Sequence, residues 1–355
     1  MTIFTKYILS KFLKYFFIIL ISLELFFVGI DFIQNVKHLP NSANLQLLYL
    51  LYNGFYTLTI TLPLSLVFGW IITLTSLIKN NELVSFYSLG IYHSKILGII
   101  INISLVITFV LIALQATPMA YSYEQKKKIS KNQYFTNAKS NIFLKYNNYY
   151  VYFKKLYPFE KKATDVHIFK TKNNDIVESI VAKKAYYQNN KWYIVDAIIT
   201  KKPDEIDWQT SKLDIKYEKF LHILDGFEPK IINNVYKSDI SFSILDAIKA
   251  ILLLNDQNFN TNKIKAILYS QLFQPFFILP LFVLIYLFVS PSSRFFNSAK
   301  FISGSIFLTL VIWGMMFLLQ KLALGGVIMA EVAIILPIVL LCLITYYFYM
   351  KELGK

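Results

Sequence analysis

Six predominantly apolar blocks dominate the chain: Phe12–Ile33, Tyr56–Ile78, Ile96–Ala116, Ile267–Val289, Phe301–Gln320 and Ala330–Met350. A helix that crosses a bilayer needs about 20 such residues, so the pattern predicts six transmembrane helices in two groups of three. Leu45–Tyr52 is already apolar, so the second helix is expected to start early and to run long and tilted. The first block is too long for a signal-peptide core and no small-residue cleavage site follows it, so it is expected to stay as a membrane helix.

Between the two groups the pattern changes. Leu213, Ile215 and Tyr217 alternate with Asp214, Lys216 and Glu218, the period of a half-buried strand. Val166–Phe169 and Trp192–Ile199 are rich in β-branched and aromatic residues. Asn147-Asn148 and Asn189-Asn190 separate aromatic runs, and Asn tolerates the left-handed backbone of tight hairpins. Short strands at this spacing predict an all-β domain, as a sandwich, jelly roll or open barrel. Ser243–Leu254 then places Ile244, Ile248, Ile251 and Leu252 on one helical face and leads back to the membrane. The expected divisions are 1–116, 117–265 and 266–355. Two readings stay open for the aromatic runs Tyr149–Phe153, Tyr186-Tyr187 and Trp192-Tyr193: the lining of an acyl-chain groove, or an ordinary core.

Composition agrees with lipid as the solvent. The chain is 56% hydrophobic and 16% charged, against about 25% charged in soluble domains. Its net charge of +15 comes without a nucleic-acid-binding module. The charges also orient it. Lys6, Lys11, Lys14, Lys79, Lys95, Arg294, Lys300, Lys351 and Lys355 flank the helices on one side, and only Lys37 and Lys321 occupy the opposite short loops. By the positive-inside rule both termini are expected in the cytoplasm and the β-domain outside. The lone Cys342 forms no intramolecular disulfide. The scattered His38, His93, His167 and His222 give no metal-ligand spacing, and no cofactor is implied. Without a nucleophile–base constellation the chain is not expected to be an enzyme.

A few polar positions carry candidate chemistry. Asn81–Leu89 reads as a short cytoplasmic helix (within about 80–90), stopped by Gly90, with Glu82 in its first turn. Glu24 and Asp31 lie in or at the end of the first helix, seven residues apart and on roughly one face. An acid inside a bilayer is costly and faces a cavity or a partner. A proton-coupled lipid or solute transporter would use such a pair. The other reading is a hydrogen bond from a neighbouring helix to Glu24 and an interfacial Asp31. Lys37 and His38 follow just outside that helix. The run Lys126–Lys128 reads as a solvated surface. Pro63, Pro275 and Pro337 fall within spans, as moving or static kinks.

Three local patterns, taken with the architecture, resemble the LptF/LptG family of lipopolysaccharide-export permeases. The first is Leu62-Pro63-Leu64-Ser65, followed by Asn81-Glu82-Leu83-Val84 and Gly90, similar to the family's proline-bearing helix and short "SELV…G" helix. The second is Gln274-Pro275, with Arg294 and Gly304 after it; the third is Gly325-Gly326 before Leu336-Pro337. Asn35-Val36-Lys37-His38 and Phe273-Gln274-Pro275 look closer to LptG than to LptF. The resemblance implies six membrane helices with an inserted periplasmic β-jellyroll-like domain. It further implies a paired LptF-like permease, a cytoplasmic LptB-like ATPase dimer and an LptA/LptC-like periplasmic bridge, in the bacterial inner membrane. It assigns ATPase coupling to Glu82, with Leu83, Phe86, Tyr87 and Gly90 around it, and lipid A phosphate at the gate to Lys37 and His38. Asp31 stands where LptG members can carry a lysine, and an acid there repels phosphate. No G-x-x-x-x-G-K-[ST] occurs in the chain, so any ATP would be held by the partner.

Overall fold

The computed structural model describes residues 3–131, 139–146, 148–157, 160–172, 175–203, 212–225, 227, 241–255, 261–289, 294 and 296–353. Asn147 and Lys355, used above, lie outside them. The chain divides into two compact units. One comprises Met1–Lys131, Phe242–Ile248 and Asn260–Lys355; the other comprises Asn132–Ser241 and Lys249–Phe259.

The first unit is helical. It opens with α1 (Ile3–Asn35), a 3₁₀ turn at Val36–His38, and α2 (Ala43–Lys79). The short α3 (Glu82–Ser88), α4 (His93–Gln115) and α5 (Ser122–Ser130) follow. After the sheet come α6 (Ile244–Asn255), which the unit boundary divides after Ile248, then α7 (Asn262–Leu272), α8 (Ile278–Leu287), α9 (Ser298–Leu324) and α10 (Leu336–Leu353). Among the described residues, five helices are long and apolar enough to cross a membrane, and a sixth crossing results if α7 and α8 form one span bent by 46°. The bend falls at the break between Leu272 and Gln274, just before the 3₁₀ turn Gln274–Phe277 in which Pro275 supplies no N–H to the helical ladder. Pro63 sits inside an unbroken α2, whereas Pro337 is approached through a π-helical turn at Glu331–Ile335.

The packing centre is α2. Leu66, Val67, Trp70, Ile71, Leu74, Leu77 and Ile78 are fully buried, against Ile8 and Phe12 of α1 and Ile278, Leu281 and Phe282 of α8. The opposite face of α1 leaves Phe17, Ile18, Ile21, Leu25 and Phe26 exposed, as suits a helix whose solvent is lipid. A second stripe of α2, repeating every four residues, is small or polar: Asn53, Thr57, Thr61, Ser65, Gly69 and Thr73, all buried. A Cβ on Gly69 would stand 3.0 Å from the Phe16 Cα, so glycine is what lets α1 and α2 close. The hydroxyl of Thr73 donates to the carbonyl of Gly69 at 2.6 Å, one turn back, so this polar group is not left bare.

The second unit contains an antiparallel sheet whose six described strands run in sequence order: β1 (Lys139–Tyr146), β2 (Tyr149–Tyr157), β3 (Lys162–Lys172), β4 (Asp175–Gln188), β5 (Lys191–Lys201) and β6 (Asp214–Ile223). At the β4–β5 hairpin Gln188 pairs with Lys191 around Asn189 and Asn190, both at positive φ (47° and 64°). That is the two-residue turn whose twist matches the strands.

A crease crosses this sheet. Pairing is interrupted at one row across all the described strands: Asn141, Lys154, Asp165, Lys183, Asp196 and Lys219 are skipped between the paired positions on either side. Asn141, Asp165 and Asp196 have left-handed backbones (φ 58°, 49° and 53°), which Asn and Asp tolerate best among residues with a Cβ. On each strand from β2 to β5 the buried face changes phase at this row. Phe153 and Leu156, Ala163 and Val166, Ala182 and Ala185, and Ile194 and Ala197 are buried three residues apart, where a flat strand would require two or four. Both sides of the crease therefore feed one core. Phe153, Tyr187 and Trp192 belong to it, with Trp192 Nε1 donating to the Phe227 carbonyl at 2.7 Å, so these three rings are core residues. Tyr186 is exposed.

Two expectations are corrected. The alternation at Leu213, Ile215 and Tyr217 marks a strand, but not a half-buried one. Leu213 lies just before β6, and all three side chains are exposed. The Lys126–Lys128 run is not simply solvated, because α5 folds back on α2. The Lys126 side chain is only 12% exposed, and Lys128 pairs with Glu124 at 3.2 Å.

Candidate functional site

The α2–α3 corner is built from asparagines and closed by glycine. Asn81 takes a left-handed backbone (φ 57°) that turns the chain out of α2. At the far end Gly90 (φ 76°) donates to the Tyr87 carbonyl at 3.0 Å, and Ile91 donates to the Phe86 carbonyl at 2.9 Å. This is a Schellman cap, and its left-handed position is why glycine ends the helix.

Glu82, in the first turn of α3, is held by three groups of its own chain through four hydrogen bonds. Lys11 Nζ of α1 lies 2.7 Å from Oε1 and 2.8 Å from Oε2. The Tyr7 hydroxyl donates to Oε2 at 2.7 Å and Asn80 Nδ2 to Oε1 at 3.0 Å. Partial burial pushes the carboxyl up, but the hydrogen bonds from Lys11, Tyr7 and Asn80 outweigh it and hold it below the usual glutamate range. The sequence offered no sign that Lys11, 71 positions away, would be its partner.

The three apolar residues expected around Glu82 turn inward. Leu83 is fully buried in the helical core. Phe86 meets Phe4 of α1 edge-on at 5.0 Å. Tyr87 shares a hydrogen bond with the Tyr286 hydroxyl of α8. Leu83 is buried, whereas Phe86 and Tyr87 remain half-buried. The exposed surface of this corner includes Val84, Ser85, Ser88, Leu89 and Tyr92.

At the other end of α1 and α2, the two acids of α1 both turn toward α2, but they are not brought together. The Glu24 Oε2 accepts from Thr61 at 2.6 Å and its Oε1 from Thr57. Asp31 accepts from the Tyr49 hydroxyl, and from Lys126 Nζ at 2.5 Å. The same ammonium donates to Asn53 Oδ1 at 2.9 Å and lies 5.6 and 5.7 Å from the ring centres of Tyr49 and Tyr56. Lys126 thereby joins α1, α2 and α5. Lys37 and His38, on the 3₁₀ turn beyond α1, are exposed. Among the described residues no group of three or more His, Cys, Asp or Glu side chains stands together as a metal site.

An N-terminal and a C-terminal set of apolar helices, an intervening antiparallel sheet and a capped short helix after α2 are the features to be matched. A family model for the lipopolysaccharide export system permease LptF/LptG matches residues 6–351. The chain belongs to the LptF/LptG family. The match spans both helix sets and the sheet between them, so the resemblance carried by Glu82 and Gly90, Gln274-Pro275 and Leu336-Pro337 extends over nearly the whole chain. No individually curated protein matches it. As an LptF/LptG permease it is a multi-pass inner-membrane transport subunit for lipopolysaccharide.

Proposed function

We propose that this permease is the membrane subunit of an ATP-driven lipopolysaccharide exporter, with α3 as the element that receives the stroke of a cytoplasmic ATPase dimer. The termini lie in the cytoplasm and the β-unit in the periplasm, as the lysine and arginine asymmetry of the short flanks requires. A second LptF/LptG chain stands beside it. The lipid leaves the outer leaflet of the inner membrane, passes the β-unit and is handed to a periplasmic bridge of LptA/LptC type. The exposure of Lys37 and His38 beyond α1 supports the proposal that they meet lipid A phosphates. Of the two family halves, the LptG assignment rests on Asn35–His38 and Phe273–Pro275.

The observation that carries this reading is the construction of α3. A seven-residue helix is turned out of α2 by the left-handed Asn81, capped at its C-terminus, tied to α1 through Glu82, and leaves Val84 and the following Leu89 and Tyr92 exposed. An element so short gains little from its own hydrogen bonds, and its tertiary anchors are what preserve its shape. Glu82 then acts first by holding α3 in place, and Gly90 by ending it.

The test is Leu89→Asp together with Tyr92→Ala, two exposed positions whose change leaves the core intact. The variant is expected to accumulate and melt normally, to lose the co-purifying ATPase and to stop releasing lipopolysaccharide from vesicles. Normal retention of the ATPase with normal release would overturn the reading. Release by the chain in vesicles without any ATPase would instead favour proton coupling through Glu24 and Asp31.

A further inference from the structure

The inward side of α3 reaches both groups of helices. On one side Glu82 and Phe86 bind Lys11 and Phe4 of α1. On the other, the Tyr87 hydroxyl bonds the Tyr286 hydroxyl of α8, a residue 199 positions further along the chain. Tyr286 does not stop there. Its ring stacks on Trp70 of α2, with centroids 6.2 Å apart and planes 13° from parallel. The Trp70 indole N–H donates to the Phe282 carbonyl of α8 at 3.2 Å. Trp70 is fully buried and Tyr286 nearly so.

We infer that Tyr286 is a positioning residue for transport, through which displacement of α3 at Tyr87 is passed to α8 and, by way of Trp70, to α2. The inference rests on the coupling role proposed for α3. Three features distinguish this contact from ordinary packing. It is directional, since a hydroxyl pair holds only within a narrow range of distance and angle. It continues into a flat ring stack and a buried indole hydrogen bond, so a shift of the Tyr286 ring cannot be absorbed locally without loosening one of them. It also joins α3 to α8, which belongs to the helices beyond the β-unit, whereas the Glu82 and Phe86 anchors reach only α1. A push on α3 that moved α1 alone would leave the two helix groups in register. The Tyr87–Tyr286 link makes the second group respond as well.

Removing either hydroxyl while keeping its ring separates coupling from packing. The experiment uses the full chain assembled with a paired permease and ATPase in vesicles containing lipopolysaccharide, and reads lipid released per ATP hydrolysed. Tyr87→Phe and Tyr286→Phe are each expected to lower that ratio about three- to tenfold while ATPase retention stays at the parental level, the scale of one hydrogen bond. The double variant is expected to be no worse than either single one, because both remove the same link. An unchanged ratio in both single variants, or independent losses that multiply in the double variant, overturns the inference. Failure of both phenylalanine variants to assemble also overturns it, by assigning the pair to folding alone. If the parental chain itself retains no ATPase, the coupling role of α3 falls, and the relay with it.

Discussion

Lys126 Nζ lies 2.5 Å from Asp31 Oδ2, across 95 residues of sequence, and ties the short helix α5 to the end of α1. Neither side chain is more than 28% exposed. The pair is also held by Tyr49 and Asn53 of α2, so it behaves as a network and not as a loose surface contact.

Replacing one member strands the other. Lys126→Met is expected to destabilise the helical unit by about 1–3 kcal/mol, the cost of leaving a charged group without its hydrogen bonds. Thermal unfolding in detergent measures it. Lys126→Met with Asp31→Leu should recover part of the loss, because replacing both members of a buried pair costs less than breaking it. No recovery would show that the two residues act separately.

Glu24 receives the hydroxyls of Thr57 and Thr61 from within the α1–α2 contact. Each Thr→Val change is expected to cost about 0.6 kcal/mol, in line with single hydrogen bonds between membrane helices. Glu24→Gln keeps one acceptor oxygen for one threonine hydroxyl and can donate its amide N–H to the other threonine oxygen, so ATP-dependent lipid release should remain near the parental rate. Loss of release in Glu24→Gln, with stability intact, would assign the carboxyl a proton-handling role.

Anchorage of α3 should weaken in acid. Glu82 is held below the usual glutamate range by Lys11, Tyr7 and Asn80. Its contribution is therefore fully present above the unfolded-chain value of about 4.3 and is lost as pH falls through the lower folded value. A spin label at the exposed Ser88 should gain mobility in that window in the parent. In Glu82→Gln the label should show the same mobility at every pH. Parallel pH profiles for the two proteins would detach Glu82 from the effect.

The crease makes a backbone prediction. Asp165 and Asp196 hold φ of 49° and 53° within strands. Glycine adopts such angles freely and β-branched residues do so at high cost. Asp196→Gly should leave the melting temperature of the β-unit close to the parent. Asp196→Val should destabilise it by about 1–3 kcal/mol, the usual scale of backbone strain. Equal effects of the two substitutions would mean that the side chain, and not the backbone, sets the fold there.

Some of this molecule was legible without a structure. The apolar runs located the spans, because in lipid a backbone must satisfy its own polar groups and a helix is the local way to do so. Leu45–Tyr52 correctly extended α2, which begins at Ala43. Gly90 and Asn189-Asn190 were readable as punctuation, since a left-handed backbone is a requirement of single residues. A further signal was present but unread. Phe153-Lys-Lys-Leu156, Ala163-Thr-Asp-Val166, Ala182-Lys-Lys-Ala185 and Ile194-Val-Asp-Ala197 each separate two apolar residues by two others, a break in strand alternation repeated on four successive strands.

What the chain determined by itself is everything set by neighbouring residues: where helices and turns occur, and which stretches belong in lipid. Tertiary structure alone decided that Lys126 lies beside Asp31, that Glu82 is held by Lys11, and that Tyr87 reaches Tyr286. It also turned Leu83, Phe86 and Tyr87 inward and left Val84, Leu89 and Tyr92 outside. These relations depend on which faces of distant helices meet. Side-chain periodicity shows which residues share a face, but the partner of that face is chosen by packing across the whole bundle.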